Sequence, residues 1–201
     1  MTPRVRLPGH FDLIALQRLV KVRAAVISAA ASILSGQHAH IVIQSVAPLV
    51  MSLAKESLRE CSSVLISVAR HFGELSFALH SFISSDERKW LIFLYQNMTR
   101  MGLSRPADTL RHSDYLVTRD SQESIKWAQQ IRTEVAFSFP KVVVFFQSEN
   151  CVDVLMGVFR DLSRDPHIPV RCMFSRGLYE SLSAIHQCSS RMQQEDLDSV
   201  Y

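Results

Sequence analysis

Between Pro140 and Gln147 the chain sets five apolar side chains in a row, Val142-Val143-Val144-Phe145-Phe146, behind a single Lys141. Three are β-branched and two are aromatic, and the polar alternation of a strand wet on one face is missing. So short a run, apolar on every side, reads as a strand buried on both faces, as in a parallel sheet covered by helices. Pro140 suits its first position, where no ladder N–H is needed. The polar set Gln147-Ser148-Glu149-Asn150 follows, with Asn150 placed to cap a helix and Asp153 in its first turn. Val152, Leu155, Met156, Phe159 and Leu162 then recur at helical spacing, with Arg160 and Arg164 near the end and Asp165-Pro166 as the stop. Val170 to Phe174 reads as a second short strand. The link between the strands is long enough for a right-handed parallel crossover, so a β-α-β unit is expected here.

The remaining chain frames that unit. Residues 1–10, with Pro3, Pro8 and Gly9, are expected to be flexible. Residues 11–103 carry apolar positions that fit helices better than strands. Ala39–Ile43 is open as a short strand, Ser45 is placed to cap a helix with Pro48 in its first turn, and Ser63–Val68 fits either state. Ser84 and Glu87 stand at capping-box spacing, and Trp90, Leu91, Leu94, Met98 and Met101 make a stripe that ends at Gly102. Leu103–Ser113, with Pro106, is the expected boundary. Beyond it the period changes: Asp114–Thr118 reads as a strand, Ile125, Ala128, Ile131 and Val135 as a helix face, and Leu178, Leu182 and Ile185 as a last helix. The tail 189–201 is expected to fray. The fold class that results is α/β, a helical N-terminal half followed by a small parallel β-α-β-α-β-α half-sheet over 114–188. No internal repeat is visible.

Composition narrows the function classes only a little. Of 201 residues, 47% are hydrophobic and 20% charged, a globular balance rather than a disordered one, and a net charge of +3 permits a nucleic-acid or acidic-lipid contact without requiring one. Cys61, Cys151, Cys172 and Cys188 show no CxxC spacing and read as buried free thiols of an intracellular, reducing compartment. The charge-free run Ala24–Ala54 is broken by Gly36 and Pro48, so no transmembrane segment is expected. The first 23 residues hold five Arg or Lys against Asp12 alone, the make-up of a mitochondrial presequence and equally of a basic helix lying on a partner.

Three blocks carry a family resemblance: Tyr115-Leu116-Val117-Thr118, the run from Lys141 to Leu162, and Pro169 to Arg176. Their order resembles the opening of the second RecA-like domain of DEAD-box RNA helicases. There a Tyr-Val-Val-Thr-like strand, a helix, a Lys-Val-Val-Val-Phe-Phe-like strand and a strand ending in an Ile-His-Ser-Arg-like turn follow one another. The resemblance puts Ser148 at the position where the family often has Ser or Thr, and Arg176 on the arginine of the turn, both on the side that faces the RNA backbone. The chain departs from the family at Phe174, Tyr179 and Leu182, where His, Gln and Arg are usual. It has no G-x-x-x-x-G-K-[ST] loop, no Asp-Glu-Ala-Asp-like run and no arginine-finger motif, so ATP hydrolysis by that route is not expected.

Each candidate group has a plain structural alternative. His38 and His40 lack a third ligand nearby, so no metal is expected. Cys151 lies near a helix N-terminus, where the dipole lowers a thiol pKa, but a nucleophile would also need His167 or His186 beside it. Asp153 and Asp161 are too far apart along one helix to act on one bond. No catalytic residue and no cofactor is assigned, and the chain leans away from being an enzyme. Two functions remain. One is a non-catalytic RNA-contacting module whose phosphate contacts are Ser148, Arg164, Arg171 and Arg176. The other is a protein-interaction subunit whose apolar N-terminal helices pack on a partner.

Overall fold

The computed structural model describes residues 11–33, 42–60, 63–103, 122–149 and 151–198, and among these residues there is no strand. The described residues form seven α-helices: α1 (Phe11–Ile33), α2 (Ala47–Glu60), α3 (Ser63–Leu79), α4 (Ser85–Thr99), α5 (Gln122–Ser148), α6 (Val152–Ser163) and α7 (Ile168–Asp198). A π-helical turn, Val42–Val46, leads into α2, whose second residue is Pro48. Across the described residues the expected α/β architecture is therefore replaced by a helical one.

The correction centres on the run that suggested a sheet. Lys141–Phe146 is the C-terminal part of the 27-residue α5, with Pro140 inside the helix. Apolar residues in an unbroken row arise in a strand with two buried faces, and equally in a helix surrounded on three sides. The burial pattern settles which applies: Phe139, Val142, Val143, Phe145 and Phe146 are buried while Lys141 and Val144 are exposed. Such a pattern is a wide helical arc with one outward stripe at 137, 141 and 144. Pro140 removes one intrahelical hydrogen bond. Nearby, the Tyr95 hydroxyl donates to the Val135 carbonyl at 2.8 Å and the Ser138 hydroxyl to the same oxygen at 3.1 Å.

Val170–Phe174, the second expected strand, lies in the first turns of α7. Asp165-Pro166 does stop α6, whose C-cap is Arg164, with Arg160 in its last turn. Leu155 and Leu162 are buried as the spacing predicts, but Val152 and Met156 face solvent and Val158 is buried in their stead. Cys172, placed on a buried strand by the sequence, is exposed because the helix turns it outward. Asn150 and the strand at Asp114–Thr118 lie outside the described residues, as do His38 and His40.

Packing sorts the helices into two layers. The odd-numbered helices lie side by side in the order α1, α3, α5, α7, and the even-numbered helices pack against them from the other side. Each antiparallel pair, α3–α4 and then α5–α6, therefore stacks on the one before it, the plan of an α-solenoid. Ion pairs from Lys141 to Glu74 and from His80 to Glu149 show that α3 and α5 run parallel. Their backbones come close at Gly73, where a Cβ would lie 2.4 Å from the Lys141 Cβ. On the other flank of α5, a Cβ on Gly177 of α7 would meet the Pro140 ring at 2.7 Å. One hydrophobic core runs from Ile27 to Phe174, with Tyr95, Phe72 and Phe146 stacked edge to face or tilted at its centre.

α4 begins where the sequence placed it. Ser84 is the N-cap at φ −67° and ψ 161°; the Glu87 N–H donates to its hydroxyl and the Ser84 N–H to the Glu87 carboxylate, closing a capping box. Leu91, Leu94 and Met98 are buried on its inner stripe, Trp90 and Met101 half-buried, and the chain turns at Gly102.

Candidate protein interface

The residues assigned to RNA fall at helix ends and on helix faces. Ser148 is the last residue of α5 and not a loop residue after a strand. Arg164 caps α6 and is exposed, Arg176 is exposed on α7, and Arg171 has a structural task. Its Nη1 donates to the carbonyls of Asp165 at 2.6 Å and Pro166 at 3.2 Å, closing the α6–α7 turn. Among the described residues there is no sheet, and so no strand edge from which a RecA-like loop could reach a phosphate backbone; the RNA-contacting reading, with its RecA-like fold, is withdrawn.

Catalytic chemistry finds no better support at Cys151. It is the N-cap of α6, and its thiol donates to the Glu149 carbonyl at 3.3 Å. Burial, and then the adjacent Glu149 carboxylate, push its pKa up, the reverse of what a helix dipole alone would do. His167 follows the far end of α6, so a 12-residue helix, about 18 Å long, separates it from the thiol. Among the described residues no three His, Cys, Asp or Glu side chains are gathered to hold a metal.

What the tertiary structure does assemble is a pair of charged clamps, one at each edge of the stack. At the edge of the α3–α4 and α5–α6 turns, Glu149 receives His80 Nε2 at 3.0 Å and lies 2.7 Å from Arg88 Nε. That Arg88 N–H is not aligned for a hydrogen bond; the guanidinium instead donates through Nη1 to the carbonyls of His80 and Ile83. At the other edge, Arg132 of α5 donates to Asp165 at 2.7 and 3.3 Å and to the Met101 carbonyl at 2.5 Å, with both charged side chains buried. Asp165 Oδ1 also receives the His167 N–H at 2.8 Å. Beside this clamp, Arg100, the C-cap of α4, pairs with Asp161 of α6 at 2.5 Å.

The surface left over has its own order. Along α3 and α5, running in parallel, Arg70 lies over the Phe137 ring at 5.8 Å and Lys141 pairs with Glu74 at 2.5 Å. His71 Nδ1 also bonds Glu74 at 2.9 Å, and these hydrogen bonds, the Lys141 one first, hold the Glu74 carboxyl below its usual range. One turn on, the same register brings Phe77 level with Val144. Phe77 is 71% exposed and Phe137 45%. Exposed aromatic side chains with an arginine stacked on one of them have the composition of a protein-interface core. On the apolar N-terminal helices expected to pack on a partner, Ile27, Val50, Leu53, Leu65 and Val68 are buried in the protein's own core, while Val22 and Leu49 are exposed.

The sequence matches no family model and no solved structure. It is similar to the serine/threonine-protein phosphatase 4 regulatory subunit 4 of Mus musculus and to that of Homo sapiens, at 28% identity over 137 residues in each case. The match covers 68% of this chain and spans 15% of the length of either relative.

Proposed function

We propose that this chain is a helical protein-interaction module of the regulatory-subunit kind, binding a serine/threonine-protein phosphatase. The observation that carries the reading is the 137-residue similarity to the phosphatase 4 regulatory subunits. Stacked helical pairs support it, because such arrays offer extended surfaces made of side chains on rigid helices, without any catalytic apparatus. The contact assigned to the partner is the α3–α5 face, with Phe77 and Phe137 as aromatic anchors and Arg70 beside them.

The test is direct binding of the purified chain to immobilised phosphatase 4 catalytic subunit, read by interferometry. Saturable binding is expected, and Phe77→Asp combined with Phe137→Ala should weaken it roughly tenfold or more, the effect of losing one or two anchor residues. A folded chain that shows no binding overturns the proposal; binding that ignores the double variant moves it to another face.

A further inference from the structure

We draw no further inference here: the strongest candidate, the exposed flank of α7 that carries Ile168, Tyr179 and Leu182, is an unpartnered face, and nothing in the structure shows what covers it.

Discussion

The two clamps that hold successive helical pairs together use the same chemistry at different depths. Arg132 and Asp165 are withdrawn almost wholly from water, whereas the His80–Arg88–Glu149 group keeps partial access to it, His80 most of all. A buried charge left alone cannot be hydrated, so the inner clamp is an obligate pair, while the outer one can exchange a lost partner for water. Depth, more than the number of contacts, sets what each clamp is worth.

That contrast breaks most sharply at the inner clamp. Asp165→Ala leaves the Arg132 guanidinium buried with only the Met101 carbonyl, and should cost about 3–5 kcal/mol in urea unfolding at neutral pH. Replacing both partners, as Arg132→Met with Asp165→Leu, should recover most of that loss, though the His167 N–H bond to Asp165 goes with it. Recovery would show that the pair fixes geometry more than it adds stability. At the outer clamp, Glu149→Ala should cost only about 1–2 kcal/mol, with native-state hydrogen exchange rising at the α3–α4 and α5–α6 turns and little elsewhere. A loss as large as that at Asp165 would refute the ranking by depth.

The smallest effect concerns carboxylates at the surface. Lys141 and His71 hold the Glu74 pKa down, and the Ser84 backbone N–H and hydroxyl do the same for Glu87. A depressed folded-state pKa contributes stability that is present above the unfolded value and lost as pH falls through the folded one. Stability should therefore decline as pH drops below about 4.5. Glu74→Gln with Glu87→Gln should flatten that acid limb, seen as a smaller difference between urea midpoints at neutral and acidic pH. An acid limb unchanged in the double variant would assign it to other groups.

Legibility of the fold in the sequence depended on how local the deciding interaction was. The start of α4 was readable because a capping box is closed within four residues, and the end of α6 because Asp165-Pro166 is a stop signal carried by two adjacent residues. The stretch from Lys141 to Phe146 was not readable in the same way. Its apolar row satisfies a buried strand and a surrounded helix alike, and Pro140, which favours a strand edge in isolation, is tolerated in α5. That misreading propagated to function: the helicase-like fold, the strand-end loop at Ser148 and the phosphate-facing arginines all rested on a sheet that is absent among the described residues. The α3–α5 surface went unnoticed for a related reason, since Arg70 and Phe137 meet only through a register between helices separated by an intervening helix and a long connection.

By itself the sequence determined that the chain is globular, which residues are apolar, and where helices with local signals begin and stop. Only the tertiary structure decided that the apolar run is helical, that the helices stack in pairs, and that Asp165 serves Arg132 rather than merely ending a helix. Local capping is a bargain struck within one turn of backbone, so its residues announce it. The state of a fully apolar segment is set by how many neighbours surround it, and neighbours come from other parts of the chain.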